Sequence, residues 1–170
     1  MDAKLENVTS TLGARFGAQL TEFRGQQRLI LDREHIVEAA QALRDEFGFE
    51  MLTFITAVDY WPQTDPRFHV IYQFTSYQHN LQLQLRVPVG GEAPALPSVV
   101  GVYPSANWHE RETFDMLGIT FEGHPDLRRI LMPFDWVGHP LRKDYPLGYE
   151  EVQFTFNYEE IEKHKPEPQE

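Results

Sequence analysis

The residues able to carry chemistry are concentrated in the stretch 108–146, in three clusters. The first is Trp108-His109-Glu110-Arg111-Glu112-Thr113-Phe114-Asp115. On a helix, His109, Glu112 and Asp115 step by three and fan over one side. With His124 or His139 added, such a set invites a metal or acid–base reading. The spacing is not the His-Glu-x-x-His of zinc hydrolases, and a catalytic zinc needs three protein ligands, of which only the His109/Glu112 pair is well placed by sequence. The plainer expectation is that Arg111 pairs with carboxylates on this and neighbouring elements, while Phe114 and Leu117 pack inward. The second cluster, His124-Pro125-Asp126-Leu127-Arg128-Arg129, has two adjacent arginines suited to phosphate or to carboxylate forks. The third, Gly138-His139-Pro140-Leu141-Arg142-Lys143-Asp144-Tyr145-Pro146, is forced into extended or turn backbone by its His-Pro and Tyr-Pro steps. No nucleophile–base pair and no glycine-rich phosphate cradle stands in any of them.

Composition narrows the chemistry further. The chain has 170 residues, 15 Lys+Arg against 26 Asp+Glu, a net charge of −11 and no cysteine. A thiol nucleophile, a Cys-ligated zinc and a cysteine-held iron–sulfur cluster are excluded. The acidic balance disfavours a nucleic-acid binder, which needs a basic face. Met1 to Glu6 carries both signs of charge and no apolar run, so neither a secretory signal nor a transit peptide is expected. Apolar stretches fall far short of the roughly 20 residues that span a bilayer.

The elements that must position these clusters are legible in the first half. Leu5, Val8, Leu12 and Phe16 form one helical stripe that Gly17 can end. Two short strands follow near 19–24 and 27–31 with Gly25 at the turn. Asp32 is the expected cap of a second helix, whose face is Ile36, Val37, Ala40, Leu43 and Phe47, with Gly48 as its stop. Residues 51–59 are apolar on both sides, the mark of a central, doubly covered strand. Residues 67–75 and 79–88 alternate, the latter with one wet face of Gln82, Gln84 and Arg86. The order α-β-β-α-β-β-β predicts an α+β, two-layer domain with a mostly antiparallel or mixed sheet.

The Pro- and Gly-rich stretch 89–104 reads as the exit loop or hinge of that domain, which spans 1–104, with room for a short helix within it. A short helix is expected at 105–118, with Asn107 opening it, Glu110 in a capping-box relation and Gly118 closing it. Residues 119–158 are proline-broken yet rich in aromatics. They read as an extended, partner-binding arm whose rings must dock on the domain or on another protein. A charged tail, 159–170, is expected to be mobile alone.

The run Glu110 to Ile119, then Phe121 to Pro133, then Trp136 to Pro146 resembles the signature of the C subunit of the proton-pumping NADH–quinone oxidoreductase, respiratory complex I. The stretch Pro140-Leu141-Arg142-Lys143-Asp144 is its most specific part, and the order of elements in the first half fits as well. The resemblance implies a cofactor-free scaffold subunit at the quinone side of the hydrophilic arm, peripheral on the cytoplasmic face of the membrane or an equivalent organelle compartment. Its implied neighbours are the large quinone-site (D) subunit and the B and I iron–sulfur subunits. Flavin and iron–sulfur clusters would reside on partner subunits while the complex passes electrons from NADH to quinone. No catalytic, cofactor or metal residue carries over. Glu110, Arg111, Glu112, Asp115, His124, Pro125, Arg128, Arg129, Pro140, Arg142, Lys143, Asp144 and Tyr145 are expected at interfaces or in internal salt bridges. Homologous subunits of membrane-bound hydrogenases or ferredoxin-dependent quinone reductases share the motif. A small metal-dependent hydrolase using His109, Glu112 and His124 is the rival from another class, and an RNA-binding module is a third.

Overall fold

The computed structural model describes residues 3–146, 156 and 158–162. The helix α1 (Ala3–Phe16) buries Val8, Thr9 and Leu12 and ends at Gly17, whose φ of +68° suits only glycine comfortably. β1 (Gln19–Phe23) and β2 (Gln26–Ile30) form a hairpin through Arg24 and Gly25, both at positive φ. A 3₁₀ turn, Arg33–His35, precedes α2 (Ile36–Asp45). Asp32 contributes no side-chain cap here; its carbonyl accepts the His35 N–H instead. β3 (Met51–Asp59), β4 (Phe68–Ser76) and β5 (Leu81–Val89) follow. The observed order is the expected one, in an α+β fold with a mixed sheet.

The sheet order is β1-β2-β5-β4-β3, antiparallel except for the parallel β2–β5 pair. One face carries Leu29, Leu83, Leu85, Tyr72 and Phe74, which form one core with Val8, Leu12, Ile36, Ala39 and Leu43 of the helices. β5 sits in the middle. β3, expected to be central, is an edge strand. Its second cover comes from α3 (Ala106–Leu117), which lies along it. The Ser105 and Thr113 hydroxyls donate long bonds of 3.5 Å to the Leu52 and Ile55 carbonyls. A double apolar pattern thus reflects a helix along an open edge, one of the ways proteins protect such edges.

The stretch 89–104 contains an element the sequence did not suggest. β6 (Ala95–Pro97) pairs in parallel with β7 (Thr120–Glu122), and this pair brackets α3. The capping-box expectation at Asn107 fails: Ser105 is the N-cap residue, and Glu110 is fully buried. Gly118 closes the helix in the left-handed conformation, as expected. A short helix, α4 (Tyr158–Glu162), occupies the junction of the expected arm and tail. The remainder of both, 147–155, 157 and 163–170, lies outside the described residues.

Candidate functional site

The signature segment is built around two buried aspartates, each of which grips the chain after α3. Asp115, in the last turns of α3, has no exposed surface. Its Oδ1 accepts from Arg129 Nη1 at 2.6 Å. Its Oδ2 accepts three consecutive backbone N–H groups, Ile130, Leu131 and Met132, at 3.0, 2.8 and 2.9 Å. Burial works to raise this carboxyl, but the Met132, Leu131 and Ile130 amides and Arg129 together hold it below the usual carboxylate range. Arg129 also donates to the carbonyls of Trp136 and Gly138, both at 2.9 Å, so a single guanidinium closes the loop 129–138.

The second aspartate ends β3. Asp59 receives a two-pronged fork from Arg67, 3.0 Å to Oδ1 and 2.8 Å to Oδ2, together with the Trp61 and Lys143 N–H groups. Arg67 turns its other edge to Asp144, at 2.9 and 2.6 Å. Burial opposes the charge on Asp59, yet the Arg67 fork and the two amides bring its carboxyl down to about 2. The bonds to Asp144 and Asp59 raise Arg67 in turn. Trp61 and Phe68 stack on the Arg67 guanidinium, each 4.9 Å from ring centre to Cζ.

Between these anchors the arm satisfies the carboxyl end of α3. The last four carbonyls of a helix lack internal partners. Here Asp115 O accepts from His139 Nδ1 at 2.9 Å, Met116 O from the Leu141 N–H at 3.0 Å, and Leu117 O from Arg142 Nε at 2.6 Å. Arg142 reaches the Gly118 carbonyl as well, and a cation at this end complements the helix dipole. The His139 Nδ1 must carry its proton, because a carbonyl only accepts. Burial, helped by the Arg142 and Arg129 charges, pushes this imidazole below its ordinary value against the pull of the Asp115 carbonyl.

Glu110 corrects a second expectation. It makes no salt bridge among the described residues and is fully buried: its Oε1 accepts the Val99 N–H at 2.8 Å and its Oε2 lies 2.6 Å from Ser98 Oγ. It therefore ties α3 to the exit of β6. Burial lifts this carboxyl to about 7, against the opposing pull of the Ser98 and Val99 bonds. Arg111 bonds the carbonyls of Arg128 and Arg129 at 3.2 Å, meets no carboxylate among the described residues, and stacks on Trp108. Arg128 pairs locally with Asp126 at an exposed site. Glu112, Pro125 and the Lys143 side chain are exposed; Pro140 is half-buried. The Tyr145 hydroxyl donates to the Val137 carbonyl.

The histidine set of the hydrolase reading is not brought together. Asp115 turns into the arm while Glu112 faces out. The His124 Nδ1 accepts the Asp126 N–H, so its Nε2 donates to the Asn107 carbonyl. Among the described residues no three His, Asp or Glu side chains are grouped to hold a metal ion. Sequence reasoning missed Asp59 and Arg67 altogether. The only signal was a pair of charges at the ends of two apolar strands, which alternation alone treats as strand ends.

The profile of the family described as "Respiratory-chain NADH dehydrogenase, 30 Kd subunit" matches residues 29–151, from β2 past the second anchor. The chain belongs to that family. A relative from Roseiflexus sp. (strain RS-1), named as the C subunit of NADH-quinone oxidoreductase, is 52% identical over 147 residues, covering 85% of this chain and 84% of its own. Another of that name, from Herpetosiphon aurantiacus, is 44% identical over 92% of this chain and 95% of its own. Among solved structures, a trypsin-resistant fragment (1-134) of Nqo5 superposes with a TM-score of 0.64 at 35% identity, over 73% of this chain and 99% of the fragment. A chain of an archaeal membrane-bound sulfane sulfur reductase superposes at 0.69 over 96% of this chain and 91% of its own. At 18% identity it shows the fold alone.

Within this 30 Kd subunit fold, the arm presents what its backbone does not need. Leu131, Phe134, Val137 and Leu141 are 61%, 86%, 85% and 62% exposed. Leu131, Phe134 and Val137 sit on the loop that Asp115 and Arg129 close, and the Leu141 N–H is held by the Met116 carbonyl, so apolar side chains are offered to solvent from a fixed backbone. Large apolar groups displayed together in this way mark contact surfaces. Among the described residues no helix is long and apolar enough to cross a membrane.

Proposed function

We propose that this chain is a non-catalytic scaffold subunit of an NADH–quinone oxidoreductase, the complex for which its C-subunit relatives are named. It holds the quinone-side module together while electrons pass from NADH to quinone through groups on other subunits. The observation that carries the reading is the pinned arm with its outward Leu131, Phe134, Val137 and Leu141. The buried charges next to this arm are spent on fixing it: the bonds of Asp59, Asp115 and Arg129 are all internal. Flavin and iron–sulfur clusters then belong to partners, consistent with a chain without cysteine. The large quinone-site (D) subunit is the proposed occupant of the arm's apolar face, with the B and I iron–sulfur subunits nearby. The chain is held peripherally at the cytoplasmic face of the membrane by these contacts.

The test is a pull-down of the tagged chain from membranes of cells that assemble the complex, with co-purifying subunits identified by mass. The paired substitution Phe134→Glu, Val137→Glu removes apolar contact at positions too exposed to support the fold. Recovery of partner subunits should fall at least tenfold while the isolated chain keeps its melting temperature. Normal recovery with the double variant would sink the interface reading.

A further inference from the structure

The sheet has a second face, opposite the core, to which no described residue of the arm is hydrogen-bonded. The core packs on one side, and the buried residues of the helices join it there. On the other side, alternation places Arg28 on β2, Gln84 and Arg86 on β5, and His69 and Ile71 on β4, all half-buried. The register sets Arg28 beside Gln84 and Arg86 beside Ile30. The strand residues on this face include no aspartate or glutamate, in a chain whose net charge is −11.

The two arginines are treated differently from those that hold the arm in place. Arg67, Arg111, Arg129 and Arg142 each have two or more acceptors. Arg28 and Arg86 make no ion pair among the described residues, and the Nε of each is buried without a hydrogen-bond acceptor. Neighbouring groups hold them in place without neutralising them. Phe23 stacks on Arg28 at 4.6 Å, and Arg86 donates to the Tyr60 hydroxyl at 2.9 Å. His69 packs edge-to-face against Tyr60 with ring centres 5.0 Å apart, and its Nδ1 is also buried without a partner. Desolvated guanidinium N–H groups without acceptors are costly, and a carboxylate fork is their best complement.

We propose that this open sheet face is a second docking surface, taking an acidic amphipathic segment of a partner protein whose carboxylates meet Arg28 and Arg86 and whose apolar groups lie on Ile30 and Ile71. Strand spacing of about 4.8 Å and a rise of about 3.3 Å per residue put the two arginine Cα atoms roughly 8 Å apart. Carboxylates one helical turn apart, about 5–6 Å at their Cβ atoms, fit that separation once the long arginine side chains are counted. Charge complementarity selects the partner: the strand residues of this face are cationic and include no carboxylate, on a chain whose net charge is −11, so an acidic segment is what they complement. Two arginines are too few for nucleic acid. The inference uses the subunit reading only to say where a partner is available.

The experiment places the photoreactive residue benzoylphenylalanine at Gln82, an exposed position on the same face, in the full-length tagged chain expressed where the oxidoreductase assembles. The adduct after irradiation should map to a peptide with at least three Asp or Glu within about ten residues. Arg28→Gln with Arg86→Gln should lower its yield at least tenfold and leave the chain's melting temperature unchanged. Gln84→Glu, which supplies an internal carboxylate beside Arg28, should lower it similarly. An adduct on a carboxylate-poor peptide, on a second copy of this chain or on lipid would overturn the proposal. So would an undiminished yield in the variants, or a lowered melting temperature in the double variant, which would make the arginines structural. A fully assembled complex with no adduct would refute this face while leaving the subunit reading intact.

Discussion

Replacing Asp115 by Asn tests the central claim that one buried carboxylate fixes the arm. The swap keeps the side chain's size and one oxygen but removes the charge and turns one acceptor into a donor. If the remaining oxygen faces the three amides of 130–132, the new NH₂ meets the Arg129 guanidinium, donor against donor. If it faces Arg129, three buried N–H groups lose their acceptor. Hydrogen bonds to a charged group contribute roughly 1.5–3 kcal/mol each, and breaking one side of a buried pair costs about 3–5 kcal/mol. The same range is expected here, because Asp115 has no exposed surface through which water could substitute. For a chain of this length that is a fall in melting temperature of roughly 6–20 °C. The sharper readout is hydrogen exchange: the amides of 130, 131 and 132 should lose protection together in the variant. Glu112→Gln, on the exposed side of the same helix, should shift stability by less than about 0.5 kcal/mol. A loss below about 1 kcal/mol for Asp115→Asn, or unchanged exchange at those three amides, would refute the reasoning.

Other outcomes follow from the same geometry. Gly118→Ala puts a side chain at φ +71° and a Cβ that would meet the His139 ring and come within 2.6 Å of Arg142 Nη2. The left-handed backbone alone costs about 1–2 kcal/mol, so thermal unfolding should show at least that much and the arm's amides should exchange faster. Arg67→Lys keeps the charge but cannot fork to Asp59 and Asp144 at once. Denaturant unfolding should show a loss of about 3–5 kcal/mol. The Asp59 carboxyl, held at about 2, contributes stability that is complete above its unfolded value near 4 and is lost as pH falls through about 2. The acid limb of the stability curve should therefore flatten in Asp59→Asn. Glu110 acts in the opposite direction. Its folded value of about 7 exceeds the unfolded 4.5, so it favours the fold at low pH, and that contribution, on the order of 3 kcal/mol, is lost as pH rises from 4.5 to 7. Urea titrations of Glu110→Gln should lack this slope; an identical slope in the variant would contradict the assignment.

The period of a strand or helix is a local property, and local reasoning recovered it. Leu81, Leu83, Leu85 and Val87 announce one covered face because side chains alternate whatever the strand pairs with. Gly17, Gly25 and Gly118 mark turns and helix ends because their positive φ is a cost other residues meet alone. The anchors were not legible for a corresponding reason. Arg67 and Asp144 are 77 positions apart, and the Lys143 amide and Asp59 are 84 apart. No pattern in either segment encodes that distance. The β6–β7 pair escaped notice because three residues with two prolines nearby hold too little periodicity to register.

Sequence by itself determined α1 to β5 and α3, their order, the exclusion of thiol chemistry and the family, the last through the run from Glu110 to Pro146. Only the tertiary structure decided what those signature residues do. It put β3 at an edge, gave Glu110 to a buried tie between α3 and β6, and turned Asp115, Arg129, Arg142 and Asp144 inward as fasteners. It also separated them from the apolar side chains that face outward on the same arm. The reason is physical: residue type states which bonds a group can make, while burial and the position of distant backbone decide which of them it does make.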